Sequence, residues 1–421
     1  MEVKTTLYFP KLNAVKEAAT TLKEVVAQTP LLQNFSYSKK YAAEVYFKRE
    51  DLQQVRSYKI RGAYNKISSL TPAELERGIV CASAGNHAQG VAFACHKKKI
   101  QGTIFMPAPT PKQKLEQVKM FGGAYVDVQL IGDTFDDAYK ASKQFCDTHQ
   151  KTFVHPFNDK KIIEGQATVG LELLEQLLEA PDYVVVPVGG GGLASGVSTM
   201  VRLLSPSTKL IGVEPLGAPS MQAAFKAGHN RKLASIDKFV DGAAVQQVGD
   251  LTYPICQENL DELLTVPEGL VCQTILDMYN KEAIVVEPAG ALTIAALEFL
   301  KTEIKGKRVV CVVSGSNNDI VRTAEIKERA LLYQGLKHYF IIRFPQRAGA
   351  LKEFVRDVLG VRDDITYFEY SKKTNRENGP AVVGVELASP TDLEPLVERM
   401  KARNFYGEYL NNKPDLFEFL V

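Results

Sequence analysis

Residues 183–204 have the sequence YVVVPVGGGGLASGVSTMVRLL, and this stretch decides the fold class. Its apolar start, Tyr183–Val188, predicts a buried strand, and Leu193–Leu204 predicts a helix. The loop between them consists of consecutive glycines, which are entropically costly and indicate backbone N–H groups that must surround a ligand closely. Because the loop lies ahead of a helix N-terminus, we interpret it as a cradle for an anion, best a phosphate. A turn with a purely structural role is the alternative.

Short apolar segments alternate with longer amphipathic ones on both sides of this stretch, from about residue 78 to 315. The predicted strands are Ile79–Ser83, Thr103–Met106, Ala124–Val128, Phe153–His155, Tyr183–Val188, Lys209–Val213 and Arg308–Val313. The predicted helices are Asn86–Lys98, Pro111–Phe121, Thr134–Gln150, Glu164–Leu178 and Leu193–Leu204. This alternation is typical of an α/β fold with parallel sheets covered by helices on both faces. Such sheets bind ligands at the carboxyl ends of their strands.

The pattern changes after Asn318. Residues 320–332 predict a charged amphipathic helix, and we interpret residues 321–336 as a connecting helix or linker. The remainder, residues 337–421, predicts a small α+β domain of order βαββα, with a possible final strand at Leu416–Val421. The domain boundaries expected from the sequence are therefore 1–320, 321–336 and 337–421.

The bulk composition excludes several classes of partner. The chain has 421 residues, a net charge of +2 and 45% hydrophobic residues, so no electrostatic case exists for a nucleic-acid or membrane-surface partner. The N-terminus has no apolar signal core, and no stretch approaches the ~18 apolar residues that span a bilayer. The six cysteines form no C-x-x-C pair, which favours buried, reduced thiols in a cytoplasmic protein. No His/Cys/Asp cluster has metal-ligand spacing, so we predict no metal site.

Three further motifs carry polar or reactive side chains. SAGNHAQG, residues 83–90, opens a helix after a strand and offers a site for a carboxylate; a merely well-capped helix N-terminus is the alternative. SGSNND, residues 314–319, places a serine at the end of a buried strand, where its hydroxyl can donate to a ring nitrogen. SYKIRGA, residues 57–63, contains Lys59 ahead of small residues and an apolar helix face, although a single lysine is usually a solvated surface group.

Six motifs together carry a family resemblance. SYKIRGA, SAGNHAQG, GGGGL, VDGAAV, VEPAGA and SGSNN, in this order and spacing, closely resemble the threonine dehydratase (threonine ammonia-lyase) family. That family belongs to the tryptophan-synthase-β-like enzymes, which use pyridoxal 5′-phosphate. The resemblance covers roughly residues 20–320. It implies a two-lobed α/β fold with parallel-rich sheets.

The resemblance also implies roles for individual residues. Lys59 would bind the cofactor covalently, Asn86 would bond the ring 3′-oxygen, and Ser314 would meet the pyridine nitrogen. The residues that would hold the phosphate are Gly189, Gly190, Gly191, Gly192 and Leu193. The residues that would lie near the substrate carboxylate are Ser83, Gly85 and His87. Glu287 and the turn Asp241–Ala243 would line the pocket near the ring, and for Glu287 a structural carboxylate is an equal alternative.

The reaction that the resemblance implies is the dehydration and deamination of threonine. The Lys59 amine would remove the α-proton as a general base, while the cofactor takes up the developing charge. The β-hydroxyl then leaves, and the released enamine hydrolyses to 2-oxobutanoate and ammonia. A neutral hydroxyl from Ser314 at the ring nitrogen makes a weaker electron sink than a carboxylate, which favours elimination over transamination.

Residues 337–421 resemble the ACT-like regulatory domain of the short form of the biosynthetic enzymes. The family implies feedback by isoleucine, opposition by valine, a place in isoleucine synthesis and a homotetramer. Effectors often bind such domains at the first strand-to-helix loop, here FPQRAGALKEF. Ala348 departs from the proline common in that loop, which argues against a ligand site at Arg347–Leu351. A domain that only supports oligomerisation is the alternative.

Several other functions are compatible with the same fold. A catabolic serine/threonine dehydratase and a serine racemase are the main competitors, and the added C-terminal domain argues against both. A threonine synthase or a cysteine synthase matches the lysine motif and the terminal domain less well. An inactive cofactor-fold protein that senses amino acids is the non-enzymatic alternative, and the intact Lys59, Asn86, glycine loop and Ser314 argue against it.

Overall fold

The computed structural model describes residues 7–370 and 377–413. It divides into two compact units, Met1–Asp319 and Ile320–Val421. The strands of the first unit are β1 (Leu31–Gln33), β2 (Glu44–Arg49), β3 (Ile79–Ala82), β4 (Gly102–Met106), β5 (Val126–Leu130), β6 (Thr152–Phe153), β7 (Tyr183–Pro187), β8 (Lys209–Pro215), β9 (Glu262–Val266) and β10 (Arg308–Val313).

Fourteen α-helices of the described residues belong to the first unit. They are α1 (Leu12–Leu22), α2 (Phe35–Tyr41), α3 (Lys59–Ser68), α4 (Pro72–Arg77), α5 (Asn86–Lys98), α6 (Lys112–Gly122), α7 (Phe135–Thr148), α8 (Lys160–Gln176), α9 (Gly192–Leu204), α10 (Ser220–Ala227), α11 (Thr252–Asn259), α12 (Glu268–Glu282), α13 (Pro288–Ala295) and α14 (Leu297–Leu300).

The strands of the first unit form two sheets. The larger has the order β1-β2-β10-β7-β8-β9 and the smaller β5-β4-β3-β6. Every pairing is parallel except that of β1 with β2. The predicted α/β class with parallel-rich sheets is confirmed, and it places the loops after β3, β7 and β10 at carboxyl ends of parallel strands.

In the first unit, two predicted elements begin two or more residues away from the expected start. The strand expected at Ala124–Val128 starts at Val126, because a 3-10 turn occupies Gly123–Tyr125. The helix expected to start at Glu164 starts at Lys160, because the Asp159 side chain accepts hydrogen bonds from the backbone N–H groups of its first turn. The strands β1, β2 and β9 were not predicted from the sequence.

A core of small and β-branched side chains supports the glycine loop. Val184, Val186 and Val188 are buried on one side of it, and Leu193 and Val197 on the other. All six cysteines are buried and no disulfide links them. Among the residues that the structure describes, no helix is both long and apolar enough to cross a membrane.

The second unit contains a four-stranded antiparallel sheet of order β12-β13-β11-β14. Its elements are α15 (Thr323–Tyr333), β11 (Lys337–Pro345), α16 (Ala350–Asp357), β12 (Asp364–Tyr370), β13 (Asn378–Glu386), α17 (Leu393–Ala402) and β14 (Tyr406–Tyr409). Phe340, Ile342 and Phe344 of β11 share a buried cluster with Phe354 of α16 and Leu396 of α17. These two helices therefore cover one face of the sheet.

Helix α15, which was interpreted from the sequence as a connector, belongs to the second unit. On α15, Ile326 and Ala330 are buried, and Glu328 accepts a hydrogen bond from the Tyr339 hydroxyl at 2.7 Å. Because side chains alternate along a strand, Tyr339 lies on the opposite face of the sheet from Phe340. The last described strand is β14, which was not predicted, and the strand expected at Leu416–Val421 lies outside the described residues.

Candidate active site

Lys59 is the first residue of α3, and the strand-end serine lies beside it. The N–H of Tyr58 donates to the Ser314 carbonyl at 3.2 Å, and Ser57 forms an isolated bridge with Gly315. The Lys59 amine donates to the Pro156 carbonyl at 3.0 Å. The structure therefore brings the lysine motif and the SGSNND motif together, although 255 positions separate Lys59 from Ser314 in the chain.

The Lys59 amine has an altered acidity. Burial disfavours its charged form and lowers its pKa to about 8, while the Glu287 carboxylate acts in the opposite direction. Roughly a tenth of the amine is then neutral at pH 7, far more than for an ordinary lysine, and a nucleophile or a general base requires the neutral form.

Asn86, the first residue of α5, is held in one orientation by two partners. Its Nδ2 donates to Glu287 Oε1 at 2.7 Å, and its Oδ1 accepts from Asn317 Nδ2 at 2.7 Å. Asn317 also donates to the Val55 carbonyl at 2.9 Å. One N–H of the Asn86 amide therefore remains to donate to a further acceptor.

Glu287 precedes α13 and is 4% exposed. Burial raises the pKa of its carboxyl to about 7, and the Asp241 carboxylate raises it further, while the hydrogen bond from Asn86 lowers it. The turn expected to line the pocket lies beside it, since a Cβ added to Gly242 would lie 3.4 Å from Glu287 Oε1.

Replacing Glu287 with glutamine is expected to stabilise the protein more at pH 8 than at pH 5. The native carboxyl has a pKa of about 7 against a reference of 4.5. The native state thus binds more protons between these values and loses stability as the pH rises. Charging the buried carboxyl costs about 3 kcal/mol by pH 8, which the neutral amide avoids. Urea unfolding of both proteins at both pH values measures this difference, and an equal difference at the two values would contradict it.

The glycine loop follows β7 and has no room for side chains. A Cβ added to Gly189 would lie 2.9 Å from Ala243 Cα, and one added to Gly190 would overlap the Phe157 ring. Gly191 has a φ of +89°, in the left-handed region that favours glycine. The first hydrogen bond of α9 runs from Ser195 N–H to the Gly191 carbonyl at 2.8 Å. The N–H groups ahead of Ser195 therefore have no partner within the helix.

Ser314 and the SAGNHAQG motif have different surroundings. Ser314 is 2% exposed at the end of β10. Ser83 Oγ accepts from the Gly85 N–H at 3.2 Å. His87 is buried and its Nε2 lies 2.9 Å from the Val154 carbonyl, so this nitrogen carries the proton. Burial, reinforced by the Lys59 amine, lowers the pKa of His87 to about 3. His87 is therefore a neutral donor to the backbone.

Sequence reasoning missed the segment VHPFND, residues 154–159. It supplies the carbonyl of Pro156 to Lys59 and the Phe157 ring to the glycine loop. Its His155 Nδ1 accepts from the Asn158 N–H at 2.8 Å, which fixes the turn. The only signal in the sequence was its position after a short apolar strand. Asn317, which orients Asn86, was quoted within a motif but given no role.

The donor set of the site fits pyridoxal phosphate. The lysine of lowered pKa matches an aldehyde, and the tight loop of amides at a helix N-terminus matches a phosphate. The oriented amide of Asn86 matches a ring oxygen, and the buried serine hydroxyl matches a ring nitrogen. Among the described residues, no group of three or more His, Cys, Asp or Glu side chains is arranged to hold a metal ion.

The chain matches two protein-family models. Residues 22–315 match the family described as pyridoxal-phosphate dependent enzyme, and residues 328–420 match the C-terminal regulatory domain of threonine dehydratase. The biosynthetic L-threonine dehydratase of Halalkalibacterium halodurans is 55% identical over 404 residues, which cover 96% of this chain and 97% of that protein. The same enzyme of Bacillus subtilis is 52% identical and covers 98% and 97%.

Two solved structures are similar to part of the chain. The processed form of threonine deaminase isoform 2 from Solanum lycopersicum has a TM-score of 0.72 at 37% identity, covering 78% of this chain and 91% of that chain. Serine racemase from Dictyostelium discoideum has a TM-score of 0.68 at 33% identity, covering 74% and 99%.

Proposed function

The chain belongs to the pyridoxal-phosphate-dependent enzyme family, and we propose that it converts L-threonine to 2-oxobutanoate and ammonia as a biosynthetic threonine dehydratase. Similarity to curated enzymes of this name over nearly the whole chain, including the regulatory domain, carries the proposal. The substrate loses its α-proton and β-hydroxyl as water. Hydrolysis of the resulting enamine then consumes one water and releases ammonia.

Each residue of the candidate site has a separate role in the proposed reaction. Bound pyridoxal phosphate supplies an electron sink for charge that develops at the substrate α-carbon. Lys59 would hold the cofactor, and its amine would serve as the base that removes the α-proton. The backbone amides of residues 189–193 would bind the phosphate, Asn86 would donate to the ring oxygen, and Ser314 would hydrogen-bond the ring nitrogen. Ser83 and Gly85 would receive the substrate carboxylate, while the buried His87 bonds the Val154 carbonyl.

Measuring 2-oxo acid release from L-threonine and L-serine by the purified full-length chain tests this function. We expect threonine to be the better substrate by kcat/KM. A specific observation favours a second candidate, because serine racemase from Dictyostelium discoideum is similar to 74% of this chain at 33% identity. Formation of D-serine faster than 2-oxo acid release would support that activity and contradict the proposed one.

Isoleucine is expected to inhibit the full-length chain, and valine to oppose it. The match of residues 328–420 to the threonine dehydratase regulatory domain supports this regulation. In the loop first considered for an effector, Arg347 pairs with Glu353 and residues 347–349 are exposed. Inhibition curves for the full chain and for a chain ending at Val321 measure the effect. Equal curves for both would contradict a regulatory role of the second unit.

Two further expectations follow from the family resemblance. We propose a cytoplasmic location and a homotetramer. Light scattering on the purified chain measures the assembly directly, and a monomer or dimer at micromolar concentration would contradict the tetramer.

A further inference from the structure

Arg61, two residues after Lys59, lies in a buried network of ion pairs that the proposed chemistry does not use. Two cations, Arg61 and Lys48, face two carboxylates, Glu50 and Glu172. Arg61, Lys48 and Glu50 are each at most 1% exposed, and the Glu172 side chain is 17% exposed. The two positive and two negative charges balance, as a buried cluster requires.

Every donor of the Arg61 guanidinium is satisfied. It forms paired hydrogen bonds to Glu50, at 2.8 Å from Nε and 2.8 Å from Nη2. It forms a second pair to Glu172, at 2.6 Å from Nη1 and 2.8 Å from Nη2, and a bond to the Thr168 hydroxyl at 3.0 Å. Together these use all five N–H groups of the side chain. These partners fix the planar guanidinium in one orientation, and a lysine side chain could not form the same paired hydrogen bonds.

The network connects the start of α3 to two other parts of the first unit. Glu50 follows strand β2, and Thr168 and Glu172 belong to α8. Helix α8 begins directly after the segment that supplies the Pro156 carbonyl to Lys59. The ion pairs of Arg61 therefore join the helix that carries the lysine to the helix that follows the lysine's hydrogen-bond acceptor.

The backbone around Lys59 is packed just as closely. A Cβ added to Gly165 of α8 would lie 2.6 Å from the Arg61 carbonyl oxygen, and one added to Gly90 of α5 would lie 3.1 Å from the Lys59 carbonyl carbon. The first turn of a helix lacks internal acceptors for its N–H groups and tends to fray. Here the turn that bears the reactive lysine is clamped from both sides.

Stability alone does not explain this arrangement. Buried ion pairs often contribute little net stability compared with apolar side chains of the same volume, whereas they can specify one geometry. We propose that Arg61 is a positioning residue, which fixes the first turn of α3 and thereby the Lys59 amine, which lies at the Pro156 carbonyl and would hold the cofactor. This inference rests on the proposed function for the identity of the cofactor.

Two variants of the full-length holoenzyme test the proposal, with a matched control. Arg61→Lys keeps the charge but loses the fork, and Thr168→Val removes one acceptor without changing charge. We expect Arg61→Lys to lower kcat about tenfold with little change in KM, because small displacements of a reacting group have large effects on rate. The pH midpoint of the bound-cofactor absorbance should shift by about half a unit, as the environment of the Lys59 nitrogen changes. Thr168→Val should shift both values in the same directions by less.

The control is Lys48→Met. This substitution removes a buried cation from the same network. The native Lys48 amine bonds Glu172, the Thr29 carbonyl and Gln176, and none of these belongs to α3. We expect a lower melting temperature but an unchanged absorbance midpoint. The proposal is overturned if Lys48→Met shifts that midpoint as much as Arg61→Lys, or if Arg61→Lys lowers only the melting temperature. If the wild type binds the cofactor but releases no 2-oxo acid from threonine, the proposed function fails, while the midpoints still decide the role of Arg61.

Discussion

Replacing Lys59 with alanine is expected to lower 2-oxo acid release by about 1,000-fold or more, since it removes both the attachment point of the cofactor and the general base. The amine it deletes is the one with a pKa lowered to about 8, placed 3.0 Å from the Pro156 carbonyl. The absorbance band of covalently attached cofactor should vanish as well. Steady-state kinetics and an absorbance spectrum of the purified variant measure the two effects.

A lysine outside the site provides the control for this experiment. Lys97 is exposed on α5, and its replacement by alanine should leave both the rate and the band unchanged. Retention of more than about a tenth of the activity in Lys59→Ala would place the proton transfer elsewhere. A normal band without activity would instead separate cofactor attachment from catalysis.

The second large effect is expected for Gly190→Ala, at the centre of the glycine loop. The new methyl group would overlap the Phe157 ring and force the loop or the ring to move. Overpacking of this kind costs up to about 3 kcal/mol. We expect the displaced loop to bind the phosphate less favourably by a similar free energy, which lowers the affinity for the cofactor roughly 100-fold. Titration of the cofactor-free protein, followed by absorbance, measures the dissociation constant.

Two variants identify the cause of that loss. Gly190→Ala combined with Phe157→Ala removes the obstructing ring and should recover part of the affinity. Gly306→Ala places a methyl group with nothing within 4 Å, but on left-handed backbone with a φ of +68°. It should therefore lower stability away from the loop and still bind the cofactor normally. If the double variant binds no better than Gly190→Ala, the contact with Phe157 is not the reason for the effect.

The sequence was informative where one local rule dominates. Helix α5 has the bounds predicted for it, Asn86–Lys98, and strands β4, β7 and β10 lie where short apolar runs predicted them. Strand β2 was missed, because its place depends on parallel pairing with β10, more than 260 residues away in the chain. Strand β9 was missed for a related reason, since four of its five residues are only half-buried and no alternation marks it.

The site shows the same division between local and long-range information. The glycine loop and Ser314 were proposed from their own residues, whereas the roles of Lys59 and Asn86 were implied by the resemblance of six motifs to one family. Phe157, Pro156 and Asn317 act through contacts with distant segments, and nothing local distinguishes them from ordinary turn residues. Their roles depend on shape and partner, which only the folded chain provides.

The division of the chain between Asp319 and Ile320 has a mechanical consequence. Six peptide steps join Ser314 to Ile320, a tether of at most about 20 Å. Along it lies Asn317, whose amide is fastened to Asn86. Asn317 also donates to the Val55 carbonyl, and the Ser316 N–H donates to the Arg56 carbonyl, so the segment is held at several points before it reaches strand β10. The segment that joins the two units thus contains Asn317, the residue that orients Asn86 in the candidate site.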